Sequence, residues 1–179
     1  MLKFNKLKEE HLELVLSWRI KPDISEFMLT DVENNIEKQR MWFKKISVDQ
    51  TCKYWVIKYN NTNIGLINLA DIDKKNKKCS IGFYIGESTY QNFSGVILPY
   101  MYNHVFYKMD FNKIHGEVIE KNKAIMRIHI THGYREVGRF EKHIFKENQF
   151  HDVIIVELMR NKWDYLQRKF KDCRIEFEY

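Results

Sequence analysis

Apolar positions along the chain change period several times, and each change marks an element. Leu2 to Leu7 alternates as a strand, after which Leu12, Val15, Leu16 and Trp18 recur at helical spacing until Pro22 forces a break. A second helix opens from an Asn/Asp-rich stretch. Asp31, Asn34 and Asn35 are its candidate caps, and Ile36, Arg40, Trp42, Phe43 and Ile46 its inward stripe. From Cys52 the pattern turns to β-branched and aromatic residues. Tyr54 to Tyr59, Ile64 to Ile72 and Cys79 to Ile85 read as three consecutive strands, joined at Asn60-Asn61-Thr62-Asn63 and at Lys74 to Lys77. Ile97, Leu98, Met101, Val105 and Met109 then share a helical face, and Pro99 sets the start of that helix late, near Val96 to Leu98. Ile114 to Ile119 is a strand. Ala124, Ile125, Ile128 and His132 predict a helix closed by Gly133, and Arg139 to Phe145 pairs with His151 to Met159 around Lys146-Glu147-Asn148-Gln149.

The resulting order, βααβββαβαββ, predicts an α/β (α+β) fold: a mixed sheet of about seven strands with helices on both faces. Ligands of such sheets sit where neighbouring strands diverge. With two prolines and no Ser/Gly-rich linker, residues 1–163 read as one domain. Residues 164–179 read as a helix carrying Leu166 and Phe170, then a tail, packed on the same domain; a homodimer contact is the alternative use of that helix.

Composition narrows the class. A content of 44% hydrophobic residues supplies a core, which excludes intrinsic disorder. Neither a membrane-length apolar run nor a signal-peptide build is present, so a cytoplasmic protein without membrane partners is expected. Three cysteines without CxxC spacing suggest neither disulfides nor a metal site. The net charge of +6 admits an anionic ligand. Dispersed lysines and the absence of a basic arm argue against nucleic acid.

Three motifs add chemistry. Asn122-Lys123-Ala124 running to Gly133-Tyr134 resembles the fourth-helix motif of the GNAT superfamily of N-acetyltransferases, which move acetyl from acetyl-CoA to an amine. Gly138-Arg139-Phe140, His143, Phe145, Asp152 and Trp163 resemble the closing hairpin of members that acetylate ribosomal-protein N-termini and small amines. Trp18-Arg19-Ile20-Lys21-Pro22-Asp23-Ile24 with Phe27-Met28 and Trp42-Phe43 is similar to the amino-sugar branch of pseudaminic acid biosynthesis, whose acceptor is a UDP-linked 4-amino-4,6-dideoxy sugar.

The resemblance implies the GNAT fold, acetyl-CoA as co-substrate, no metal, and a small nucleotide-sugar acceptor. It also assigns candidate residues. Gln91, Asn92, Ser94, Gly95 and Val96 align with the pyrophosphate loop, although Ser94 and Val96 replace two smaller residues. Ile85, within the Gly82 to Gly86 backbone, and Asn122 complete the CoA set. Glu117 aligns with a candidate general base acting through water; by pattern alone it is an exposed strand-face carboxylate. His129 stands where many members carry a tyrosine that protonates the CoA sulfur; by pattern alone it extends the face of Ile125 and Ile128. Asn68 aligns with a small polar residue near the sugar, where it orients a water or the acceptor amine, or else it only ends a ladder hydrogen bond at an edge. Arg19 aligns with an arginine on the nucleotide diphosphate, for which a planar fork suits two phosphate oxygens, or it is a C-terminal helix charge. Met28, Gln39, Trp42 and Tyr84 complete the acceptor set. Met28 and Trp42 are more often core at such spacing, Gln39 falls near a position where the branch often has histidine, so its nucleotide contacts differ, and Tyr84 is equally readable as half-buried packing. Two further readings stay open: a ribosomal-protein or polyamine acetyltransferase, and a catalytically weak relative that binds a nucleotide or protein.

Overall fold

The computed structural model describes residues 1–170, 172–173 and 175–179; residues 171 and 174, which fall in the predicted tail, lie outside the described set. The chain opens with β1 (Leu2–Lys6), α1 (Leu12–Arg19), a short α2 (Pro22–Ser25) and α3 (Ile36–Val48). The helix breaks before Pro22 as predicted, α1 ending at Arg19, and Pro22 then starts a new short helix. Proline occupies the first turn of α2, where its missing N–H is harmless. Asn35 caps α3 as predicted, its side chain accepting from the backbone of Glu37 (3.0 Å) and Lys38 (3.1 Å). The inward stripe of α3 is also corrected. Trp42, Phe43 and Ile46 are only half-buried, and the buried position of the helix is Gln39.

Three strands follow, β2 (Lys53–Tyr59), β3 (Thr62–Asp73) and β4 (Lys78–Ile85). Asn60 and Asn61 both take positive φ (44° and 71°) in the two-residue turn between β2 and β3, the mirror-image turn that matches strand twist. The helix α4 (Ser94–Asn103) runs on into a wider-pitched turn at His104–Lys108. The late start expected from Pro99 is wrong. The helix begins at Ser94 and carries Pro99 in its interior, so the carbonyl of Gly95, four residues earlier, gets no partner from position 99. Then come β5 (Lys113–Ile119), α5 (Lys123–Thr131), β6 (Arg135–Lys146), β7 (Gln149–Met159) and α6 (Arg160–Leu166). Gly133, at φ +90°, ends α5 as expected. The final helix starts at Arg160, ahead of its fully buried Trp163.

The sheet order is β1-β2-β3-β4-β5-β7-β6, antiparallel throughout except where β4 and β5 run parallel. Side-chain alternation divides the core between its faces. Ile67, Leu69, Cys79, Ile114, Val118, Val156 and Leu158 join Ile97, Leu98 and Met101 of α4 and Trp163 of α6 on one face. Val56 and Leu66 meet Val15, Trp18 and Ile24 on the other, under α1 and α3. The tail closes the far edge: Phe177 bridges to Phe4 in parallel and stacks on its ring at 4.4 Å.

Candidate active site

The one parallel pairing in the sheet is also incomplete. β4 and β5 share three rungs, Lys78 with Lys113, Cys79 with Ile114 and Ser80 with His115, and then separate. Beyond them β4 stays paired to β3 as far as Ile85, and β5 to β7 as far as Ile119. The inner edges of both strands therefore lack a ladder partner, which leaves backbone donors and acceptors for something other than protein.

A cavity of about 250 Å³ opens at this split. Phe83, Tyr84 and Ile85 of β4 form its floor, Gln91 and Ser94 the side toward α4, and Asn122, Ala124, Ile125 and Ile128 the side toward α5. Asp23, Ile24, Phe27 and Met28 roof it, and Asp23 is the one carboxylate among the described residues that line it. Of the residues expected from sequence, Ile85, Gln91, Ser94, Asn122, Met28 and Tyr84 thus meet in one place. Phe83 and Ile125 could have been found from alternation past Gly82 and from the stripe of α5.

One corner of the cavity is the start of α4. Ser94 Oγ donates to the Gln91 carbonyl (3.0 Å), and Gln91 Nε2 to Asp23 (3.4 Å). A Cβ built on Gly95 would meet nothing within 4 Å, so the glycine serves no packing need of the chain itself. Open space at a helix N-terminus is the shape a phosphate group requires. Asn92 and Val96 lie exposed on the same turn, Val96 at 54%. Asn122 caps α5, accepting from the Ile125 N–H (3.2 Å).

On the sheet face beside the cavity, register places the polar candidates. Tyr54, Asn68 and Gly82 are paired in line across β2, β3 and β4. Continuing the Ser80–His115 register by two residues sets Gly82 against Glu117 across the gap. Glu117 is exposed there, with Ile155 as its partner on β7. Gly82 matters on this face, since a Cβ would lie 2.6 Å from Asn68 Oδ1.

His129, Arg19, Gln39 and Trp42 lie outside the lining, whereas Tyr84 belongs to it. His129 stacks on Tyr134 at 4.4 Å with Nδ1 buried and unpartnered among the described residues. Burial, then the neighbouring His132, holds its pKa at about 4, so it is a neutral imidazole at neutral pH. Arg19 turns its Nη2 to the Thr30 carbonyl (2.6 Å) and Oγ1 (3.2 Å), and its buried Nη1 has no described partner. Gln39 is buried in α3 and Trp42 packs edge-on against Tyr54 at 5.1 Å. The Tyr84 hydroxyl reaches the Val15 carbonyl (3.4 Å), and burial raises its pKa well above the phenol range.

Comparison with known proteins agrees with this geometry. Residues 2–135 match the family model described as an acetyltransferase (GNAT) domain. An Acetyltransferase PseH of Campylobacter jejuni strain 81-176 is 24% identical over 126 residues, spanning 70% of this chain and 78% of that protein. The protein of the same name from Campylobacter jejuni strain NCTC 11168 is 30% identical over 81 residues, 45% of this chain and 50% of its own length. Among solved structures, spermidine N-acetyltransferase from Vibrio cholerae with CoA and spermine superposes with a TM-score of 0.84 at 16% identity, covering 90% of this chain and 97% of that one. The split sheet, the cavity at its mouth and the family match over residues 2–135 lead to one conclusion: the chain belongs to the GNAT acetyltransferase family, whose members use acetyl-CoA.

Proposed function

We propose that the protein is an N-acetyltransferase acting on the amino group of a nucleotide-linked amino sugar, in pseudaminic acid or related surface-glycan synthesis, in the cytoplasm. The observation that carries this reading is the character of the cavity. Its lining is mostly apolar and aromatic with the neutral polar side chains of Gln91, Ser94 and Asn122, Asp23 is the one carboxylate among the described lining residues, and the cations Arg19 and Lys21 lie just behind its roof. A polyamine is a chain of positive charges and calls for several carboxylates. A sugar on a diphosphate calls for shape, hydrogen bonds and a nearby cation. The Campylobacter relatives named Acetyltransferase PseH support the same acceptor class.

In this reading the start of α4, with Gly95 and Ser94, takes the CoA diphosphate, helped by Gln91 and Asn92. Val96 covers it from outside, while Ile85 and Asn122 flank the thioester arm. The co-substrate supplies an activated acyl group; the chain supplies position and proton transfer. Glu117 takes the proton of the acceptor amine through a water, and Asn68, in line with it across the gap, orients that water. Unpaired N–H groups of β4 near Gly82 to Gly86 polarise the carbonyl. His129, neutral by burial, offers an N–H rather than an imidazolium to the departing sulfur. Met28 and Tyr84 wall the acceptor, Arg19 faces its diphosphate, and Trp42 and Gln39 support that wall from α3.

The test is turnover with acetyl-CoA and a UDP-4-amino-4,6-dideoxy sugar, beside spermidine, followed by release of free CoA thiol. The sugar nucleotide should turn over and spermidine should not; the reverse pattern overturns the reading.

A further inference from the structure

The roof of the cavity is held by a residue more than a hundred positions away in sequence. Lys146, the last residue of β6, sends its side chain to the segment after α2, where Nζ reaches the carbonyls of Ser25 (2.8 Å) and Met28 (3.0 Å) and the carboxylate of Asp31 (2.6 Å). An ammonium has three N–H donors, and here three acceptors meet them. The side chain is only 9% exposed, so its desolvation is offset by those contacts. A second staple runs alongside: Lys121, just before α5, lies 2.8 Å from Glu147 in the β6–β7 turn and 3.6 Å from Glu26 in the roof. Arg19 holds the same segment from behind through Thr30.

The Lys146 contacts span more than a hundred residues of chain and close the second half of the protein over the first. The segment they fix carries Phe27 and Met28, which line the cavity. We propose that Lys146 is a positioning residue that pins this roof and thereby sets affinity for the acceptor. With all three donors engaged inside the protein, it has none to offer a substrate, so its effect passes through Met28 and Phe27. The inference rests on the reading of the cavity as the acceptor site, but the pinning itself can be measured without any acceptor.

The experiment pairs amide hydrogen exchange over residues 24–31 with steady-state kinetics, using Lys146→Met, Lys146→Arg and Asp31→Asn in the full chain. Lys146→Met should raise exchange in the roof, where the Met28 and Phe27 amides bond back to Ser25 and Ile24. KM for the sugar nucleotide should rise about tenfold or more, the scale of a lost charged hydrogen bond, with kcat within about twofold. Affinity for CoA alone should not change. Lys146→Arg should restore most of the KM. Asp31→Asn removes one contact of three at an exposed site, so it keeps the test alive if Lys146→Met folds poorly, and it should move KM the same way by less. Unchanged roof exchange in both variants overturns the inference, as does a loss confined to kcat. Faster roof exchange in a protein that acetylates spermidine and no sugar nucleotide would leave the pinning in place and remove the acceptor reading instead.

Discussion

The two ends of the β4–β5 pair are built for opposite purposes. At the Lys78–Lys113 end the strands are hydrogen-bonded, and Cys79 and Ile114 lie fully buried between the faces, every contact made by the chain with itself. At the other end, from Gly82 and Glu117 onward, the same strands part. There Gly95, an exposed carboxylate and a free helix start leave room instead of filling it. In the function proposed above, stability is concentrated at the closed end and chemistry at the open one. Substitutions at the two ends should therefore fail in different assays.

The largest effect is expected at the open end. Glu117→Gln should lower kcat by about 100- to 1000-fold, the range for a lost general base, while the melting temperature stays within about 1 °C because the side chain is exposed. A loss below tenfold, measured as CoA thiol release at saturating substrates, would place the base elsewhere. At the closed end, Ile114→Ala should behave the other way. Removing this fully buried side chain should cost about 3 kcal/mol, or roughly 6–12 °C in a domain of this size. Turnover per folded molecule should be unchanged, and a matching fall in kcat would show that the two ends are not separable.

Acid should weaken the helical face of the sheet. Burial holds His132 and His104 at about 4, and burial with His132 holds His129 there, all below the ordinary value. The unfolded chain therefore binds more protons between about pH 6.5 and 4. Stability is complete above that window and falls as pH drops through it, on the order of 1–2 kcal/mol per histidine between pH 7 and 5. Urea unfolding at the two pH values measures this, and replacing His132 by Phe should flatten the dependence by one histidine's share. An unchanged slope would mean that His132, which meets the ring of Tyr102 edge-on, is not held neutral by its packing.

Much of this arrangement was readable from periodicity, because burial imposes it locally. Every predicted strand is present, and the Asn60-Asn61 turn, the Asn35 cap and Gly133 do what their residue types demand. The failures have a common cause. Pro99 inside α4 and Gln39 as the buried residue of α3 both go against single-residue propensity where tertiary packing decides. In the site, residues carried by one strand or helix, such as Ile85, Ser94 and Asn122, were legible. Asp23 as a lining residue and the Lys146 contacts were not. They depend on where a loop and a distant hairpin meet, and nothing in the local pattern of Lys146 at the end of β6 distinguishes it from a solvated lysine.

The smallest expected effect gives the most direct test of the contrast. Gly95 lies in the first turn of α4, its φ is not positive, and a Cβ there meets no atom within 4 Å. By the chain's own packing, Gly95→Ala should be favourable, because alanine loses less backbone entropy on entering a helix. The gain should be about 0.5–1 kcal/mol, or roughly 1–3 °C. If the space is kept for a phosphate at the helix start, the same methyl group should weaken CoA binding several-fold. A more stable protein that binds CoA less well is the signature of a glycine kept for a ligand. A variant that gains stability and binds CoA as tightly as before would mean that the diphosphate does not rest on this turn.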